Sequence, residues 1–383
     1  MTRWWHAWCD EVRHVLTDHA VLLVFGGGLL FYALLYPLPY HRNVPGEQAV
    51  AVLDHDRGAL ARQLVRWVDA TPQIRITAQP RSLYEARALL AAGTVHGLLV
   101  IPEQFERDVY LGRPTTLSYA GDASYFLIYS NIVQGLVTAG TTLTVQTQVA
   151  RALRSGENPA RIPGQVMALR VTPEPVFNSS GGYINYIVPA VFALILHQTL
   201  LITAGSVTVK DRRRRAAGQM AAPPGMALML RGLLFVLIYV FFALLYFGFF
   251  FALYDVPRVA PPWALLGVAG VFLASTTVCA MLIGYLVSRP ELPTVVVLIT
   301  SLPIVFTAGF AWPAQSLPAG LDALSWVLPA RPGIQALLTL NQMGGGLAGV
   351  RDELLVLVVQ GLVYALLLGK LVQRQTKKSV LPS

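Results

Sequence analysis

The densest run of reactive side chains in this sequence is Lys210, Asp211 and four consecutive arginines, Arg212 to Arg215. Such a block marks the cytoplasmic end of a span, holds anionic lipid headgroups, or meets a soluble partner, and residue types alone leave these three uses open. A second charged pair, Arg289 and Glu291, sits in the short linker Ser288 to Glu291 between two apolar runs. His197 and Gln198 stand near the centre of the run that precedes the arginines. An ionisable group at that depth either lines a path or makes an interhelical hydrogen bond. Asn185, with Asn178, Ser179, Ser180, Gly181 and Gly182, forms a polar mouth at the start of the same run. Asp54, Asp56 and Asp122 fall at the ends of expected strands, where turn and capping duties account for them better than catalysis.

Other chemistries lack their motifs. No G-x-x-x-x-G-K-[ST] phosphate loop occurs, and Gly344 to Gly346 run into Leu347 without a lysine. There is no H-E-x-x-H, no G-x-S-x-G and no His/Cys spacing suited to zinc. The two cysteines, Cys9 and Cys279, give no disulfide framework. These absences argue against an enzyme that acts by itself. With 55% hydrophobic and 13% charged residues and a mean hydropathy of +0.55, the chain reads as a polytopic membrane protein, since soluble domains carry about 25% charged residues. The formal charge of +9 lies mostly beside spans, where it sets topology; membrane, and not nucleic acid, is its partner.

The elements that position these residues follow from hydropathy. Residues 1–19 form an amphipathic helix, with Trp4, Trp5, Trp8, Val12, Val15 and Leu16 opposite Arg3, Asp10, Glu11, Arg13 and His14, lying in the headgroup region or leading into the first span. Residues 20–38 are an uncleaved first span. Residues 39–182 change texture to an α/β domain, with strands at Ala49 to Leu53, Ile74 to Thr77, Val95 to Ile101 and Thr115 to Tyr119 and helices between them. Ser82 and Glu85 form a capping box. The uncharged stretch from Ala123 to Arg151 holds too many Thr, Gln and Asn residues for lipid contact. Crossing there would also put the arginines outside. It reads as a long external helix packed through Phe126, Tyr129, Val133 and Leu136, returning to the membrane by a strap from Pro159 to Pro175. Residues 183–383 hold five further spans, at 184–209, 232–254, 263–287, 292–312 and 353–372, each near the roughly 20 residues that a crossing needs. A re-entrant external hairpin, 318–349, precedes the last. Arg231, at the start of the third span, is expected to snorkel to the surface. The fold class is thus six transmembrane helices with an extracytoplasmic α/β insert between the first two, both termini being cytoplasmic.

This order of elements resembles the ABC-2 type permeases of ATP-binding cassette exporters, in the branch with a large periplasmic domain. The likeness is carried by Tyr186-Ile187-Val188-Pro189-Ala190, Leu196-His197-Gln198-Thr199, Gly309-Phe310-Ala311-Trp312-Pro313 with Pro318, and Leu340-Asn341-Gln342-Met343-Gly344. The resemblance implies a bacterial inner-membrane subunit that moves an amphiphilic or lipid-like substrate outward. The chain itself would hold no cofactor, ATP and Mg being bound by separate cytoplasmic ABC ATPase subunits. Lys210, Asp211, Arg212, Arg213, Arg214, Arg215, Arg289 and Glu291 would couple to that ATPase, and Asn185, His197 and Gln198 would line the translocation pathway. A second permease copy or paralogue would complete the pore, and a periplasmic adaptor would be a further candidate partner. Relatives carry a Glu-rich, Gly-Thr-containing segment where this chain has Lys-Asp-Arg-Arg-Arg-Arg-Ala-Ala-Gly. The rival readings are a secondary transporter, which lacks support because no acid lies well inside a span and no repeat is found, and a membrane-anchored periplasmic adaptor or receptor.

Overall fold

The computed structural model describes residues 2–40, 46–123, 126–154, 183–219 and 223–380. The strap Pro159 to Pro175, the polar mouth Asn178 to Gly182 and the side chains of Lys377 and Lys378 lie outside the described residues. The chain divides into two compact units, Met1–His41 with Pro175–Ser383, and Arg42–Glu174.

In the inserted unit, strands β1 (Gln48–Asp54), β2 (Ile74–Ala78), β3 (Gly97–Ile101) and β4 (Ser118–Gly121) form one sheet in the order β2-β1-β3-β4. β1 pairs in parallel with β2 and β3, and β4 is antiparallel to β3. Side chains alternate across a strand. Val50 and Val52 therefore join Leu64 and Val68 of a helix, Ala59–Asp69, while Ala51 and Leu53 meet Ala86 of the helix Leu83–Ala91 on the other face. The central strands β1 and β3 are buried on both sides, as crossover connections require. Asp54 accepts the amides of Asp56 and Arg57 at 3.0 and 2.9 Å, and Asp56 accepts those of Gly58 and Glu106, so both acids hold turns. Half of the expected capping box is formed: Glu85 N donates to Ser82 Oγ at 3.2 Å, while the Glu85 carboxylate accepts at 2.8 Å from Arg81 N, one residue before the cap.

The polar stretch is one helix, Phe126–Arg154. Its inward strip is Ile132, Ala139 and Leu143, with Ile128 and Leu136 at the margin. This differs from the expected strip. Tyr129 meets Tyr119 with tilted rings 5.6 Å apart, Val133 is only half buried, and the Phe126 side chain is outside the described residues. The helix tolerates its threonines because Thr138, Thr141, Thr142 and Thr144 each donate to the carbonyl four residues back.

The other unit is a bundle in which five helices are long and apolar enough to cross a membrane: His19–Tyr40, Ile187–Ala216, Pro224–Leu253, Pro262–Leu286 and Ala348–Thr376. The protein is thus a polytopic α-helical membrane protein with an inserted β-sheet unit. We label the helices of this unit α1 (Thr2–Thr17), α2 (His19–Tyr40), α3 (Tyr183–Ala216), α4 (Pro224–Leu253), α5 (Pro262–Leu286), α6 (Leu292–Thr307), α7 (Ala319–Ser325), α8 (Ala330–Asn341) and α9 (Arg351–Val380). The expected span 292–312 is represented by α6, which has 16 residues. At about 1.5 Å per residue it rises roughly 24 Å, short of a core of about 30 Å. It stops because Gly309 takes φ +88° and Pro313 follows. Within the stretch 318–349, two short helices, α7 and α8, adjoin at Pro329.

α3 is the most enclosed helix, and its contact with α5 depends on small residues. A methyl group on Gly284 would stand 2.6 Å from the Gly205 carbonyl oxygen and 2.8 Å from Thr208 Cβ, so the two backbones touch where the arginines begin.

Candidate functional site

The arginines are not a loop. α3 continues to Ala216, so Lys210 to Arg215 occupy its last turns. Cations there suit the negative end of the helix dipole. The register also points successive side chains at different neighbours. Arg212 donates to the carbonyls of Tyr285 and Val287, and Arg213 Nη2 to that of Ser288 at 2.9 Å. These carbonyls close the C-terminal end of α5, which an α-helix leaves without internal partners. Ser206 Oγ adds a bond to Pro290 O at 2.7 Å in the same linker. The linker's own charges, Arg289 and Glu291, are exposed.

Asp211 turns inward and is 2% exposed. It pairs with Arg231, eight residues into α4, which is itself 1% exposed. Arg231 Nη2 also reaches Glu11 Oε1 at 2.8 Å and Oε2 at 3.1 Å, with Nε at 3.3 Å from Oε2. Glu11 is 4% exposed. Arg231 therefore does not snorkel, contrary to expectation. A buried cation needs a counter-charge, and it finds two carboxylates closer than the surface.

Glu11 places α1 in the cluster. Ala7, Glu11 and Val15 form its buried strip, four residues apart, while Trp4, Trp5 and Leu16 remain exposed. His14 lies beside Glu11, its Nε2 3.5 Å from Asp211 Oδ1 and its Nδ1 3.0 Å from Arg214 Nη1. Burial pushes the His14 pKa down, and Arg214 and Arg231 push the same way against Glu11 and Asp18. Its ring is therefore neutral near pH 7. It accepts from Arg214 on Nδ1 and turns Nε2–H toward Asp211. At the end of α1, Asp18 caps α2 by accepting from Ala20 N and Val21 N at 3.2 and 3.4 Å, and pairs with Lys210. Burial opposes ionisation of Asp18, but the Lys210 bond and charge and the two amides outweigh it and lower its pKa.

One cluster thus ties α1, the end of α3, the start of α4 and the end of α5 together. Of the residues expected to couple, Lys210, Asp211, Arg212, Arg213 and Arg214 make these contacts; Arg215 is half buried beside them. Glu11, His14, Asp18 and Arg231 were not expected in it. The signal available for them was a strip of Glu11 and His14 on one helix continued by Asp18 just past its end, and a charge buried in an apolar run on another.

The residues expected along a pathway diverge. His197 is fully buried, its Nδ1 3.2 Å from Thr276 Oγ1 and its ring stacked on Phe272 at 5.9 Å, both on α5. Gln198 faces α6, donating to Ser301 Oγ at 2.9 Å. Consecutive helical positions differ by about 100°, so the two serve different contacts. Asn185 is buried near the start of α3. Among the described residues, no group of three or more His, Cys, Asp or Glu could hold a metal.

A family model described as "ABC-2 family transporter protein" matches residues 19–370. No curated protein matches the chain.

Proposed function

The chain belongs to the ABC-2 family of transporter proteins, and from that premise we propose that it drives a substrate outward through a pore, using ATP hydrolysed by a separate subunit. It is the membrane permease component of an ABC-type transporter; the direction, the coupling residues and the sidedness are our reading. In this reading α6, extended by residues 308–312, makes a sixth crossing, and the inserted unit 39–182 is periplasmic. Six crossings put α1, the arginine turns and the basic tail of α9, with Lys370 and Arg374, on one side, as the bias of basic residues toward the cytoplasm favours. ATP and Mg belong to the partner ATPase, a second permease copy or paralogue completes the pore, and the membrane is a bacterial inner membrane. Asn185, His197 and Gln198 remain our candidates for the pathway.

The observation that carries the proposal is the buried Glu11–Arg231–Asp211 group together with the Arg212 and Arg213 bonds. A push delivered to α1 or to the exposed Arg289–Glu291 linker reaches α3, α4 and α5 at once, because packed and ion-paired elements move as a unit. Affinity purification from native membranes in mild detergent tests it. An ABC ATPase should co-purify and hydrolyse ATP. A chain that purifies without one, and carries solute in liposomes on a proton or sodium gradient, overturns the reading in favour of a secondary transporter.

A further inference from the structure

A second charged site lies at the far end of α6 from the arginine cluster. A cavity of about 810 Å³ opens between that end, the α7–α8 hairpin and the first turn of α9. This is within the range of roughly 300 to 1,000 Å³ typical of small-molecule sites. Arg331, Gln335 and Thr339, four residues apart on one stripe of α8, line it. Arg331 is 6% exposed, and its guanidinium lies 4.6 Å from the Trp326 ring centroid. Its Nη1 donates to the Asp322 carbonyl at 3.2 Å, to Asp322 Oδ1 at 2.6 Å and to Ser325 Oγ, while Nε has no partner. The Arg331 charge is therefore matched inside the wall by Asp322.

Glu353, in the first turn of α9, lines the same cavity. Among the described residues it forms no ion pair. The lining thus carries one carboxylate in excess, beside the polar ends of Gln335 and Thr339. The rest of the lining is mixed, with Gln315 beside the apolar Leu317, Leu338 and Met343. Excess negative charge in a hollow of mixed polar and apolar lining selects a positive charge on a body that also offers apolar surface. We propose that this cavity binds an amphiphilic organic cation, with its charge against Glu353 and its apolar body against Leu338 and Met343.

Tetraphenylphosphonium and tetraphenylborate share a shape and differ in sign, so they test the proposal without a known cargo. The full chain is held in maltoside micelles, which carry no ammonium, and saturable binding above the micelle background is measured. The phosphonium should bind at least about tenfold more tightly than the borate. Glu353→Gln should weaken it by about tenfold, the equivalent of one moderate charge contact. Leu338→Trp, which takes up part of the hollow, should weaken the saturable component. Saturable borate binding of equal strength, or phosphonium binding untouched by both substitutions, overturns the proposal. Adding phosphatidylethanolamine to the micelles separates two sources of the same chemistry: displacement of the probe identifies a lipid ammonium as occupant, and no displacement identifies a cation from solution. The measurement uses no ATPase, so its failure leaves the permease reading standing.

Discussion

Replacing Arg231 by methionine removes the only cation between Glu11 and Asp211 within the buried group. The guanidinium is 1% exposed and meets Glu11 at 2.8 Å. At that distance and an effective dielectric of about 20, one unit-charge pair is worth roughly 6 kcal/mol before desolvation. Breaking a buried pair from one side costs about 3–5 kcal/mol net, because the remaining charge stays buried and unpaired. Here two carboxylates remain facing one another, so the upper part of that range applies. Glu11 is the group that can leave, since α1 is short and its outer face is exposed. Arg231→Met should therefore undock α1, and amide hydrogen exchange in residues 7–17 should accelerate by at least about a hundredfold. Glu11→Leu with Arg231→Met and Asp211→Leu removes every charge of the group and should restore slow exchange, as apolar replacements of buried ion triads do. Unchanged exchange in the single variant would show that the ion group does not hold α1, and the coupling account would lose its mechanical link.

Three further outcomes follow from the same geometry. His14 is held below its ordinary pKa of about 6.5, so a released α1 binds a proton more readily than a docked one. Docking should weaken as pH falls through about 6.5, by no more than about tenfold per pH unit, and exchange in His14→Gln should lose that dependence. Arg212→Ala with Arg213→Ala frees carbonyls at the end of α5, at about 1.5–3 kcal/mol for Arg212 and less for the exposed Arg213. Such a variant should insert normally and lose substrate-stimulated ATP hydrolysis in the assembled complex. Gly284→Ala sets a methyl 2.6 Å from the Gly205 carbonyl and should cost about 1–3 kcal/mol, lowering the melting temperature in detergent. Gly267→Ala, with nothing within 4 Å, should be neutral.

Short-range signals were legible and long-range pairings were not. Hydropathy located five long apolar helices and the insert, and local chemistry located the turns of Asp54 and Asp56 and the Ser82–Glu85 cap, because each partner lies a few residues away. Arg231 was misread because its partner Glu11 is 220 positions distant, and hydropathy alone offers such a charge only the surface. That the arginines extend α3 onto the α5 carbonyls is not visible in the run itself, because those carbonyls lie 73 to 75 positions away. The end of α6 was overshot because Gly309 and Phe310 are apolar to a hydropathy window, while the φ of Gly309 stops the helix. The family order carried the bundle's plan, yet the residues that fasten α1 came from contacts that only the folded chain displays.

Sidedness of the arginine cluster is what the account stands on. With Cys9→Ser as background and buried Cys279 retained, Ala216→Cys places one exposed thiol just past Arg215. A membrane-impermeant maleimide should label it in inside-out vesicles and leave it untouched in spheroplasts with intact membranes. Labelling from the periplasmic side would contradict the account, since the cluster would then face away from any source of ATP.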